Sequence, residues 1–220
     1  MFKKWIEDIR VKTKNMDKAQ KWEYIMAYYW YHILIAFIVL VIAGIAIYHV
    51  TWGNPERLFS LAIVNQRVDY DRDEKLAEEF SISSGIKSSN IMVDSDYLLS
   101  YGDIKLDDVQ VKESLFEKFF LGWQAGALDA VIMPESFFNY CIGKDGEFTG
   151  LLEICPDLLN MGSEESFYKY NDVYTGIYID KTKISGDFIT DNSDPVILVF
   201  IKDGSHLKEC RKFIEYVLRD

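Results

Sequence analysis

The sequence predicts an α/β protein: one N-terminal transmembrane helix, then a one-lobed, mainly parallel sheet flanked by helices. Three observations carry that expectation. Residues 33–50 form an 18-residue run without Asp, Glu, Lys or Arg. Beyond it, strand-like and helix-like runs alternate to the end of the chain, the pattern of an α/β domain. Charge also divides across the run. Residues 1–32 hold seven basic and four acidic residues, a balance of +3, whereas 53–220 hold 17 basic and 31 acidic, a balance of -14. The 220 residues leave room for one domain plus an extra segment. With 49% apolar and 27% charged residues, a disordered or collagen-like chain is excluded. A mean hydropathy of -0.05 averages one greasy segment with a polar remainder. The net charge of -11 and a pI near 4.8 argue against nucleic acid as a partner, since neutralising phosphates needs a Lys/Arg surplus.

The first segment, 1–29, is a basic leader. Phe2, Trp5, Ile6, Ile9, Met16 and Ala19 recur at spacings of three and four with Lys and Arg between them. That pattern fits an amphipathic helix on an anionic inner leaflet, with a solvated basic tail as the plainer alternative. The second segment, 30–52, is the span. From Trp30 to Val50 an α-helix would run about 31 Å at 1.5 Å per residue, matching a hydrocarbon core of about 30 Å. Trp22, Tyr24, Tyr28, Tyr29, Trp30 and Tyr31 before it, and Tyr48 and Trp52 after it, mark two interfaces. Basic residues flanking a first span stay inside, so the N-terminus is expected in the cytoplasm and 53–220 outside the cell membrane. Gly44 and Ala46 offer the spacing of a signal-peptidase site. The long leader and the apolar run continuing to Val50 instead favour an uncleaved anchor.

The extracytoplasmic segment, 53–220, opens with turn residues Trp52, Gly53, Asn54 and Pro55, so its linker is short. Residues 58–64 read as a buried strand, 71–84 as a helix and 91–99 as a second strand. The strongest helix covers 107–124, with Asp107 and Asp108 at its dipole-favoured start and Val111, Leu115, Phe116, Phe119, Phe120 and Trp123 along one stripe. A short strand at 128–133 runs into Pro134, where a helix over 135–141 begins. Lys144, Asp145 and Gly146 form a turn. Residues 173–180 and 196–202 read as strands. Asp203, Gly204 and Ser205 turn the chain into a last helix with Leu207, Phe213, Ile214, Val217 and Leu218 inward.

The stretch from Gly126 through Leu128, Asp129, Ala130, Val131, Ile132 and Met133 to Pro134 resembles a segment of type 2 extracellular solute-binding proteins. Phe137, Phe138, Tyr140, Gly146, Phe148 and Leu151 follow it in the family's order. The run Pro195–Ile201 and the closing helix around Cys210, Lys212, Phe213, Ile214, Tyr216 and Leu218 are similar to the family's late strand and last helix. Lys21, Trp22, Glu23 and Tyr24 before the span look like small bacterial membrane-anchored proteins of this kind. The resemblance covers about residues 57–219 and implies a solute-binding-like fold. One departure stands out. The family inserts a second lobe where this chain has only 160–172, too short for a lobe with its own core. The two-sided cleft that would imply tight solute capture is therefore expected to be missing.

No motif points to catalysis. His32 and His49 flank the span and His206 starts a helix, with no metal-pair spacing. Asp69, Tyr70, Asp71, Arg72 and Asp73 mimic the start of a calcium loop, but Glu74 and Phe80 stand where Gly and a bidentate Glu are needed; carboxylates opening a helix explain them. There is no phosphate loop or nucleophile elbow. Neither a cofactor nor an enzyme is expected. Cys141 and Cys155 bracket a short turn and are a possible disulfide; with Cys210, three buried free thiols are as consistent with the spacing. Open α/β sheets place ligands beyond the carboxyl ends of their strands, which singles out Asn65, Gln66, Pro134, Glu135 and Ser136. The resemblance points to the same loops, and helix caps and turns are the competing explanation. The functional expectation is an extracytoplasmic interaction module anchored in the bilayer, accessory to a membrane transporter or sensor. The alternatives are a tethered binding protein for a small or cationic solute and, more weakly, an orphan extracellular enzyme.

Overall fold

The computed structural model describes residues 7, 10–51, 56–102, 113–189, 191, 193–202, 204 and 206–219. The chain divides into two compact units, Met1–Pro55 and Glu56–Asp220. In the first unit, helix α1 covers Lys18–Thr51. Its start is written in the sequence as a capping box: the Gln20 N–H donates to Asp17 Oδ1 (2.8 Å), and the Asp17 N–H donates to Gln20 Oε1 (3.2 Å). A turn at 13–15 separates it from helical residues 10–12, so the leader is not one continuous helix. Residues 1–6, 8 and 9, which carry four of its six proposed apolar positions, lie outside the described residues. At 1.5 Å per residue α1 is about 51 Å long. Within it Trp30–His49 is long and apolar enough to cross a membrane, as a transmembrane or a signal helix would be.

The second unit is a six-stranded mixed sheet with helices on both faces. Its elements are β1 (Phe59–Val64), α2 (Tyr70–Ser84), β2 (Ile91–Tyr97), α3 (Glu113–Gln124), β3 (Ala130–Pro134), α4 (Glu135–Ile142), the single-turn α5 (Leu151–Ile154), β4 (Phe167–Tyr170), β5 (Val173–Tyr178), β6 (Val196–Phe200) and α6 (Leu207–Leu218). The sheet order is β2-β1-β3-β6-β5-β4. Residues 103–112 lie outside the described residues, and with them the expected start of α3 at Asp107 and Asp108. The expected linker turn at 52–55 and two of the turn residues before α6, Asp203 and Ser205, lie outside them as well.

A mainly parallel sheet was the expectation, and the structure corrects it. β1 pairs parallel with β2 and β3, but β3–β6, β6–β5 and β5–β4 are all antiparallel. For the β4–β5 pair the reason is local. β4, which hydrophobic patterning alone does not mark, is joined to β5 by Asn171 and Asp172, both at positive φ (49° and 64°). Two such residues make a hairpin turn whose twist matches the strands, and a two-residue connection permits only antiparallel pairing.

β1, β3 and β6 are buried on both faces, which is why they read as continuous apolar runs rather than alternating ones. Alternate residues feed two cores. Phe59, Leu61, Ile63, Ile132 and Leu198 meet Phe80 of α2 and Phe213 of α6, where the three Phe rings lie about 5 Å apart. Ala62, Val64, Val131, Met133 and Val199 meet Phe119 of α3 and Phe137 and Phe138 of α4 on the other face. Burying each large side chain contributes about 1.5–3 kcal/mol. One sheet thus serves two cores, and both helix layers are needed to cover it.

Candidate functional site

The five residues singled out from the sequence gather at the carboxyl ends of neighbouring strands β1 and β3. Asn65 follows β1 at φ 53°, a conformation Asn tolerates better than most residues. Its amide clasps Leu99 in both directions: Nδ2 donates to the Leu99 carbonyl (2.9 Å), and the Leu99 N–H donates to Oδ1 (2.7 Å). Buried Gln66 accepts the Ile189 N–H (2.9 Å). Pro134 ends β3 opposite Val196. The Glu135 N–H donates to the Pro195 carbonyl (2.9 Å), and the Glu135 carboxylate accepts the Tyr168 hydroxyl (3.1 Å). Ser136 donates from N–H and Oγ to the two Asp194 oxygens (2.9 and 2.6 Å), and its Oγ also shares a hydrogen bond with Tyr101 Oη (2.7 Å). Burial raises the Tyr101 phenol above its usual range, and burial together with the Glu135 carboxylate does the same for Tyr168, so both stay protonated donors. The structure therefore brings the five residues to one edge, where Gln66, Glu135 and Ser136 tie down the segment between β5 and β6 and Asn65 holds Leu99.

Beside them opens a pocket of about 270 Å³ lined by Gln66, Arg67, Asp69, Arg72 and residues 186–189. Asp69 is the N-cap of α2 and accepts the Arg72 N–H (3.1 Å), so the acidic run does open a helix. Arg67 pairs with Asp69 at the rim, which holds the Asp69 carboxyl below its usual range. Arg72 is only 8% exposed. Its Nε and Nη2 both donate to Asp73 Oδ1 (3.1 and 2.8 Å), and its Cζ stands 5.1 Å from the centre of the Phe188 ring. Asp73 Oδ2 in turn accepts the Ser95 N–H (3.0 Å) and the Ser95 hydroxyl. Sequence reasoning read Arg72 and Asp73 as part of an acidic helix start and passed over Arg67 and Phe188. The signal that was there is an arginine inside an acidic helix start; that it is buried depends on β2 and the 186–189 segment closing over it.

The cysteines do not bridge. Cys141 packs in the core covered by α3 and α4, while Cys155 and Cys210 pack in the opposite core, and all three are free. The possible Cys141–Cys155 disulfide is corrected by that separation: the sheet stands between them. Burial pushes the Cys141 thiol up to about 12 and the Cys155 thiol up to about 11, and raises Cys210 as well, so none is a thiolate nucleophile at neutral pH. His206 sits at the amino end of α6, as expected. Its Nδ1 lies 3.0 Å from Oδ1 of Asp129, which is 3% exposed and whose Oδ2 accepts the Ser60 N–H (2.8 Å). This pair clamps β1, β3 and α6 at the edge opposite the pocket. Comparison with family models, with curated proteins and with solved structures found no match to this chain.

Proposed function

We propose that the protein is a single-pass, membrane-anchored interaction module whose solute-binding-like outer domain contacts a transporter or sensor subunit in the same bilayer. The N-terminus is cytoplasmic and the domain extracytoplasmic in this reading, following the excess of basic residues before the span. The observation that carries it is the state of the ligand edge. Asn65, Gln66, Glu135 and Ser136 are engaged by Leu99, Ile189, Tyr168 and Asp194, so these groups hold the chain's own backbone and loops together. A domain built this way offers surfaces rather than a two-sided cleft. The three protonated thiols fit a non-enzymatic role.

The test is quantitative mass spectrometry of the full-length chain extracted gently from its native membrane. A stoichiometric membrane protein is the expected companion; a chain recovered alone overturns the reading. A second reading, a tethered binding protein for a small solute, is favoured by one specific observation: the Arg72 pocket at the carboxyl end of β1, where open α/β sheets place their ligands.

A further inference from the structure

We propose that the Arg72 pocket binds a small monocarboxylate, gripped by the free end of the Arg72 guanidinium; this rests on the second reading above and names its ligand class. The Arg72 guanidinium has unspent donors. A guanidinium carries five N–H groups. Asp73 takes the Nε–H and one Nη2–H, leaving both hydrogens of Nη1 and the outer one of Nη2 without a partner among the described residues. One Nη1–H and the outer Nη2–H form the end-on edge of the fork, and these two parallel N–H groups match the spacing of carboxylate oxygens. The fork is held in place before any ligand arrives. Asp73 fixes its side edge and is itself fixed by Ser95, while Phe188 covers its face. A donor edge that is both rigid and nearly removed from water gains more from an ionic partner than an exposed one would.

The surroundings narrow the class. Residues 53–220 carry a balance of -14, yet the charges at the pocket cancel: Arg67 faces Asp69, Arg72 faces Asp73, and Lys75 lies 3.8 Å from Asp187. The two arginines sit as one buried and one at the rim, with Arg67 side-chain exposure at 76%. The lining aspartates, Asp69 and Asp187, oppose a dianion such as phosphate or succinate, so a single carboxylate suits the site best. The volume of about 270 Å³ lies just under the roughly 300–1,000 Å³ of drug-sized sites, which fits a small metabolite.

The test uses the full-length protein in detergent micelles at fixed ionic strength. Thermal unfolding of the outer domain is followed by near-ultraviolet circular dichroism while acetate, lactate, succinate, phosphate, glucose or putrescine is titrated against chloride. Acetate or lactate is expected to raise Tm saturably, with succinate and phosphate weaker. Arg72→Lys keeps a cation for Asp73 but lacks the planar end edge, and is expected to abolish the effect. Arg67→Gln, at the exposed rim, is expected to raise the half-saturating concentration about fivefold. If Arg72→Lys loses its cooperative melt, Arg67→Gln and Phe188→Leu decide, and normal saturation in both overturns the site. Carboxylate protection that survives Arg72→Lys overturns it too. If only glucose, putrescine or phosphate protects, the carboxylate assignment falls and the tethered-binding reading stands. If nothing protects, both fall.

Discussion

Replacing Asp73 by alanine probes whether the buried Arg72–Asp73–Ser95 cluster holds the pocket wall. Both charged side chains are nearly buried, at 7% and 6% exposure. The Asp73 carboxylate accepts two hydrogen bonds from Arg72 and two from Ser95. Alanine would strand the guanidinium, a loss of about 3–5 kcal/mol for a broken buried pair, and orphan the Ser95 N–H, adding about 1–3 kcal/mol. These terms overlap, so D73A is expected to lower stability by about 4–6 kcal/mol, a large share of a typical total of about 5–15 kcal/mol. The double variant R72M/D73A removes both charges and leaves only the two Ser95 donors, N–H and hydroxyl, unmet. Its loss should therefore fall short of the sum of the single variants by at least about 2 kcal/mol. Urea unfolding of the full-length chain in micelles, followed by near-ultraviolet circular dichroism, reads all three. A D73A loss under about 1 kcal/mol, or strict additivity in the double variant, would refute the reasoning.

Other expectations test separate parts of the structure. Phe80→Ala opens a hole between Phe59 and Phe213 and should cost about 3–5 kcal/mol in the same unfolding assay. Asp172→Gly relieves a side chain held at φ 64° in the β4–β5 hairpin and should stabilise by about 0.5–1 kcal/mol; a destabilised variant would contradict the turn geometry. Burial above all raises the Asp129 carboxyl over its ordinary 3.8, against the pull of His206. The favoured neutral form contributes stability that is full below 3.8 and lost as pH rises through the raised native value. The wild type should therefore lose stability relative to Asp129→Asn across that window and hold a constant difference above it, and parallel pH profiles would contradict this. The three cysteines should react with a maleimide only after unfolding, with no mass change on prior reduction; one thiol labelled per native chain would place that residue outside its core.

Much of this protein is determined by local chemistry and is legible in the sequence. The uncharged run from Ile33 to Val50 dictates a long apolar helix because no other backbone state satisfies its own hydrogen bonds so completely. Asp17 with Gln20, and Asp69 before Arg72, announce helix starts through bonds that reach only three residues. The runs that became β1, β3 and β6 are apolar at nearly every position, Ser60 being the exception, because both their faces are covered. Even the gathering of Asn65 and Ser136 at one edge follows from the rule that parallel strands end on the same side. What only the tertiary structure decided depends on residues far apart in the chain. The antiparallel half of the sheet comes from the long-range pairing of β6 with β3 and β5, and its outermost member, β4, is a four-residue edge strand whose hydrophobic pattern is too short to read and whose identity comes from its hairpin partner. Cys141 and Cys155 are near neighbours in sequence, but a sheet passes between their cores. Arg72 resembles every other charge at an acidic helix start until Ser95, 23 residues on, and Phe188, 116 residues on, close around it. Burial is a property of packing, and packing sums contacts that no local stretch of sequence contains.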